Sequence, residues 1–429
     1  MDDIEALRRK LREAENRVLE EQHRREEDQR QWEEDQRQWE EEQHRRQVAE
    51  ALIAASQPQN LQQYLETCHS LHLAIKVVTD RSLTTQGETT NPTGLIFPQR
   101  IIPWDDFAMR QEEIWNSLSI SKLFCKPAYP SNHQMEFLRS LLKPISSEAG
   151  LRNFKFYVVE NAVKRLVDQA NTDPLLRSSL GIQGTVTFKS HTNLGTTNDL
   201  ISEPTEHVPL DGDDTGATAQ GSAPEQAPAR KSRRKARGKG NRADEFCVYR
   251  TLEGRKIPVL TIKYKAPHKL SLNEIITGLK AEIQPERDVI NRDSQGFVLT
   301  ARRLAAAMVT QLFSYMIGKG LQFGYICTGQ ALVFLHIPNN PSTVYFSVCV
   351  PNQDVIDDNE TRLHCTAVTQ VFAFILQALR AKSPPPQTWH NAAKTLGIWT
   401  VKYDDILRDI PPSERKRKEP CASPYRSQR

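Results

Sequence analysis

Residues 244–265 read Asp-Glu-Phe-Cys-Val-Tyr-Arg-Thr-Leu-Glu-Gly-Arg-Lys-Ile-Pro-Val-Leu-Thr-Ile-Lys-Tyr-Lys. Two runs rich in β-branched and aromatic residues, Glu245–Thr251 and Ile257–Tyr264, flank a turn marked by Gly254, which is the signature of two adjacent strands. Downstream, Ser271 stands three residues before Glu274, the spacing of a capping box that opens a helix. Leu299–Leu321 carries Leu304, Met308, Leu312, Tyr315 and Met316 along one helical face. Phe323–Cys327, Ala331–Ile337 and Val344–Val350 read as strands on short turns, and His364–Leu379 as an apolar helix before Pro384-Pro385-Pro386. Upstream, Phe154, Tyr157, Val158, Ala162, Val163, Leu166 and Val167 keep helical spacing, and Gly184–His191 alternates like a strand. The fold expected over residues 150–410 is therefore α/β (α+β), in the order helix, strand, insertion, strand, strand, helix, strand.

The insertion, residues 192–243, is rich in Thr, Gly, Asp, Pro and Ala and cannot bury a core, so disorder is expected there. It closes on a basic run formed by Arg230, Lys231, Arg233, Arg234, Lys235, Arg237 and Lys239. A second run, Arg415, Lys416, Arg417 and Lys418, lies in a charged tail, residues 411–429. Such runs fit an importin groove or the phosphates of a nucleic acid. No aromatic residue interleaves them, which argues against base stacking. The net charge of +4 would not by itself imply such a partner; its concentration in two runs does.

Residues 2–53 lack Gly and Pro and are dense in Glu, Gln and Arg, so one long helix is expected within an arm spanning 1–55. The seven residues Glu-Glu-Asp-Gln-Arg-Gln-Trp occur twice in succession, ending at Trp32 and at Trp39. With Leu7, Leu11 and Val18 these tryptophans form a heptad seam, which implies self-association as a coiled coil. Residues 56–145 read as a helical spacer, with Leu61–Val77 and Met109–Leu123 as its helices.

The α-β-β-β-α-β order matches the core of PD-(D/E)xK nucleases, whose chemistry needs an acid at the start of one strand and acid-x-Lys on the next. Alternation puts residues two apart on one face, where carboxylates hold a divalent cation and the lysine positions water. Three segments carry a closer resemblance: Asp244–Arg250, Tyr264–Leu270 and Ser314–Gly320 are similar to a fungal family with a PD-(D/E)xK-like domain. Its members resemble this chain from about residue 150 to 410 and sometimes place the domain before a kinase-like one. The resemblance implies that Asp244 is the first acid, Lys265 the motif lysine, Glu160 the helix carboxylate and Gln311 a polar residue of the following helix. This chain departs from the pattern at Lys263, where the family has an acid, and at Ala243, where the leading proline would stand. An ammonium cannot ligate a cation and repels one. A second resemblance, to fungal nuclear regulators of the hypoxia-responsive morphology factor type, points the same way as the basic runs.

The functional expectation is a nuclear regulatory or interaction protein whose degenerate nuclease-like domain binds nucleic acid or other nuclear proteins, with no metal site and no cofactor. The alternative is a metal-dependent PD-(D/E)xK phosphodiesterase using Mg²⁺. Seven scattered cysteines without a CxxC pair suggest neither zinc nor disulfides. No stretch approaches ~20 uninterrupted apolar residues, and Met1-Asp2-Asp3-Ile4-Glu5 offers no secretory leader, so no membrane partner is expected. His268 and His364 read as surface or satisfied histidines rather than acid/base groups. Deleting both Arg230–Lys239 and Arg415–Lys418 is expected to leave a fluorescently tagged chain in the cytoplasm; an unchanged nuclear signal would remove the nuclear address.

Overall fold

The computed structural model describes residues 2–78, 80–84, 92–118, 125–189, 245–290, 296–356, 361–381, 385–400 and 423–427. Asp244, the insertion 192–243, and both basic runs lie outside them. The chain divides into two units: residues 1–60 with 127–137, and residues 61–126 with 138–429.

In the first unit a single helix, α1 (Asp2–Ser56), follows from a sequence of strong helix formers. Glu21–Arg25 (2.9 Å) and Glu42–Arg46 (2.6 Å) support it with acid-before-base pairs one turn apart, each worth a few tenths of a kcal/mol at most. Leu7, Leu11, Val18, Trp32 and Trp39 are all exposed on it, Trp32 at 65%. Gln59 donates its backbone N–H to the Tyr129 carbonyl at 3.1 Å, and its side chain bonds Asn132.

The second unit is built on a seven-stranded mixed sheet. Its strands are β1 (Arg100–Pro103), β2 (Gly184–Lys189), β3 (Glu245–Thr251), β4 (Lys256–Tyr264), β5 (Phe323–Cys327), β6 (Leu332–His336) and β7 (Thr343–Cys349). They lie in the order β1-β7-β6-β5-β4-β3-β2. β2, β3 and β4 form an antiparallel meander, β5 returns parallel to β4, and β6 and β7 continue antiparallel. The order helix, three strands, helix, parallel strand is thus the one the sequence leads one to expect. Pro258, which has no N–H to give, sits where the β3–β4 register shifts: Cys247 pairs with Leu260 but Val248 with Pro258, leaving Val259 as the extra residue.

The remaining helices are α2 (Leu61–Leu73), α3 (Phe107–Leu118), α4 (Asn132–Leu141), α5 (Glu148–Lys155), α6 (Asn161–Thr172), α7 (Pro174–Leu180), α8 (Leu272–Gly278), α9 (Phe297–Lys319), α10 (Pro351–Asp354), α11 (Ala367–Arg380) and α12 (Gln387–Ala393). α8, α9 and α12 cover one face of the sheet, where Phe246, Val248, Ile326, Val333, Leu335, Val344 and Phe346 meet Leu304, Met308, Leu312 and Trp389. α3, α5, α6 and α11 cover the other, where Phe107 and Phe374 stack about Phe334. α8 opens on the expected capping box, Glu274 N–H donating to Ser271 Oγ (3.3 Å) and Ser271 N–H to Glu274 Oε2 (2.8 Å). Gly278 lets α8 and α9 touch: a Cβ there would lie 2.3 Å from the Ala301 carbonyl oxygen.

Two expectations are corrected. Residues 100–103 fall in what reads as a helical spacer, yet they form a strand parallel to β7. Ile101 is fully buried and exchanges backbone hydrogen bonds with Ile283 (2.8 and 2.9 Å), so this short segment is held by tertiary pairing rather than by propensity. The helix read over residues 154–170 is interrupted by a π turn at Phe156–Glu160, between α5 and α6. No described helix is long and apolar enough to cross a membrane.

Candidate functional site

Alternation along the meander gives the sheet face under α6 a polar centre. Glu245 is the first residue of β3, and Tyr264 the last of β4. Glu160 ends the π turn that leads into α6. The Tyr264 hydroxyl is in hydrogen-bond contact with Glu160 Oε1 and with Glu245 Oε2, the latter at 2.9 Å. All three side chains are buried, Glu160 to 1% exposure.

A phenol has one proton, so it donates to one of these carboxyls, and the other contact needs a proton on the carboxyl itself. Glu160 supplies it: burial first, then the Glu245 charge, push its carboxyl well above the usual range. The same surroundings push Tyr264 well above its ordinary value, mainly by burial, so the phenol stays neutral. The second Glu160 oxygen, Oε2, is buried without a donor.

A buried lysine lies near this centre, within electrostatic reach of Glu160. Lys155, 3% exposed at the end of α5, places Nζ 2.9 Å from His72 Nε2 of α2 and bonds the Cys327 thiol of β5. Burial, then the neighbouring Lys155 charge, hold His72 well below its ordinary value, so it is neutral and accepts from the ammonium. Burial also lowers Lys155, opposed by Cys327 and by Glu160. Gly329, at φ +88°, turns its N–H onto Cys327 Sγ at 3.3 Å. A Cβ on Gly329 would meet Ile75 Cδ1 at 2.5 Å, so the turn closes tightly over the thiol.

Of the residues implied by resemblance, Glu160 is in this centre. Asp244 lies outside the described residues, and its neighbour Glu245 provides the strand carboxylate. Lys265 is buried one residue beyond β4, out of phase with Tyr264, and Gln311 is on α9, across the sheet from Glu160. Lys263, half-buried, shares the phase of the α9 side. His364 is satisfied: Nδ1 lies 3.0 Å from Glu112 and the ring stacks on Trp115. Sequence reasoning missed Glu245, Tyr264 and Lys155. The first two were within reach, since strand alternation puts 245 on one face with 247, and 264 on one face with 262. Lys155 was not, because helical spacing puts it out of phase with Glu160.

The six described cysteines are free thiols. Among the described residues no three His, Cys, Asp or Glu side chains group as a cation site. Mg²⁺ takes one or two carboxylates and fills its shell with water and phosphate oxygens, so holding it at Glu160 and Glu245 requires Glu160 to give up its proton and the buried pair to open to water.

Fold and centre together define a mixed α/β domain with a desolvated two-carboxylate, one-lysine core. The chain belongs to the family of the Spore killer 2 N-terminal domain, whose model matches residues 60–396. It is also similar to the Meiotic driver SPOK2 of Podospora anserina, 25% identical over 377 residues that cover 80% of this chain and 46% of that protein. The chain thus spans less than half the length of this relative. No solved structure matches it.

A carboxyl whose folded pKa is raised favours the fold while protonated, and costs stability as pH climbs from the ordinary carboxylate range through the raised value. Glu160→Gln keeps the shape and removes the titration. It is expected to stabilise the protein by roughly 1–2 kcal/mol at pH 8, about one relieved pKa step, and by nothing near pH 4. Melting curves at both pH values read this; a variant no more stable than the parent at pH 8 would contradict a proton on Glu160.

Proposed function

We propose that this chain takes part in spore killing of the kind for which its relatives are named, and that its α/β domain is a metal-dependent phosphodiesterase acting on nucleic acid. One observation carries the reading: Glu160 from the helix and Glu245 from the strand start meet at a single phenol, at two of the three places where a PD-(D/E)xK core keeps its acids, the third being Lys263 here. Glu160 and Glu245 would hold Mg²⁺, which when bound supplies an activated water and neutralises charge on the phosphate. Tyr264 fixes the spacing of the two carboxyls, and the proton on Glu160 keeps the pair from repelling itself while no cation is present. The basic run adds affinity for a polyanion. Lys239 lies six residues before Glu245 in the chain, so the two are never more than about 20 Å apart.

The purified chain is expected to cleave plasmid DNA or total RNA with Mg²⁺ or Mn²⁺. Glu160→Gln and Glu245→Gln should each lower the rate by about 100-fold or more, the scale of losing one preorganised charged group. A second reading, a regulatory domain that binds nucleic acid or nuclear proteins without chemistry, is favoured by Lys263 standing at the acid position. Shifted mobility of nucleic acid on a gel with no cleavage under either ion would select it.

The arm has its own role in this proposal. Leu7, Leu11, Val18, Trp32 and Trp39 leave an apolar stripe uncovered along α1, and a second copy of the same stripe covers it as a coiled coil. Removing residues 2–53 is expected to lower the molar mass measured by light scattering to that of one chain; equal oligomeric states with and without the arm would rule the pairing out.

A further inference from the structure

The turn that carries Glu160 inward also brings two aromatic rings to the surface. It runs Phe156-Tyr157-Val158-Val159-Glu160, and its last three side chains are buried, while Phe156 is 43% exposed and Tyr157 half-buried. The two rings stand edge to face with centroids 5.4 Å apart. An i→i+5 turn gives up regular helical bonding, and such turns recur at functional sites. Here the turn begins on one exposed ring and ends on the carboxyl that bonds Tyr264.

The charge beside the rings is cationic. Arg152 lies one helical turn before Phe156, whose N–H bonds the Arg152 carbonyl. On α5 and α6, Lys164 is paired with Asp168, and Glu148 with Lys269. Arg152 and Arg165 have no carboxylate partner among the described residues. A guanidinium left unpaired beside exposed aromatic rings suits a phosphate better than an apolar protein surface. The ring faces can take a base only where that base is free of its own pair and stack, which a duplex does not offer.

We propose that Phe156 and Tyr157 form a base-stacking platform for single-stranded nucleic acid, with Arg152 and Arg165 on its phosphates. This rests on the nucleic-acid part of the function proposed above and narrows its substrate class; it needs neither a cation nor cleavage. The basic runs contain no aromatic residue, and the π turn supplies at the surface what they lack.

The test measures binding of fluorescein-labelled oligothymidine and oligouridine, and of the oligothymidine–oligoadenine duplex, to the full chain by anisotropy in EDTA. The variants are Phe156→Ala, Phe156→Trp, Tyr157→Ala and Arg152→Gln, each first shown by its melting curve to be folded. Phe156→Ala and Tyr157→Ala should each weaken single-strand binding about 10-fold, the scale of one lost stacked base, and leave duplex binding within about 2-fold. Phe156→Trp should keep the parent affinity, because any large ring stacks. Arg152→Gln should lower the slope of log affinity against log salt by about 0.7, one phosphate contact. Parent binding that neither alanine variant weakens, or a tryptophan variant as weak as the alanine one, overturns the platform. Equal losses on the duplex overturn it too, as does a parent that binds no single strand. If the alanine variants lose single-strand binding while the parent cleaves nothing with Mg²⁺ or Mn²⁺, the platform stands and the phosphodiesterase reading falls.

Discussion

Two carboxyl groups and one phenol meet where water does not reach, and the surrounding architecture is arranged to make that tolerable. An unpaired charge in such a place costs several kcal/mol. Here burial and the Glu245 charge keep the proton on Glu160, and Tyr264 bridges the two carboxyls. Each member is held by an element that is itself anchored elsewhere. Glu245 is fixed by the β3–β4 ladder, Tyr264 by the parallel pairing of β4 with β5, and Lys155 by α2 and β5 together. The centre therefore needs the sheet, the helical layer and the 327–331 turn to be in place at once. Such a polar core does little for net stability, but it permits only one register of β3 against β4.

The sheet acts as a partition. On the α9 side most of its residues are apolar, from Phe246 through Ile326 to Phe346, with Thr261 and Lys263 of β4 between the first two. On the α6 side the strand ends nearest the insertion carry Glu245, Tyr264, Tyr325 and Cys327, while farther along that face Phe334, Phe374 and Phe107 build an aromatic cluster. One layer thus supplies a rigid apolar floor, and the other places its polar groups at one end, against α2, α5 and α6. The π turn belongs to this division of labour, because it interrupts the helical layer where that layer meets the carboxyls.

Much of the sheet was legible because strand alternation is a property of consecutive residues. β3, β4, β5, β6 and β7 each begin and end within two residues of the runs that the sequence marks, and the Ser271–Glu274 box opens α8 where its spacing says it should. What escaped was set by tertiary contact. β1 is four residues long, and its strand character comes from Ile283 and β7, neither of which is near it in the chain. The π turn is invisible to a 3.6-residue template, since Phe154, Val158, Ala162 and Leu166 satisfy that template before, within and after the break. Family resemblance pointed at Lys265, which follows Tyr264 by one residue, and at Asp244, which lies outside the described residues. Glu160, which the same resemblance implies, lies in the buried centre with Tyr264 and Glu245.

Lys189 and Phe246 are direct partners across β2 and β3. The long polar stretch between them thus leaves the sheet and re-enters it at points about 5 Å apart. A chain gripped at both ends in this way behaves thermodynamically like a hairpin loop of adjustable size, and doubling its length costs only about 0.6 kcal/mol. The β2–β3 pairing sets where the stretch begins and ends but not how long it is. Relatives are free to shorten it, lengthen it or trade its sequence wholesale, so this is where kindred proteins can diverge fastest while the floor beneath stays the same.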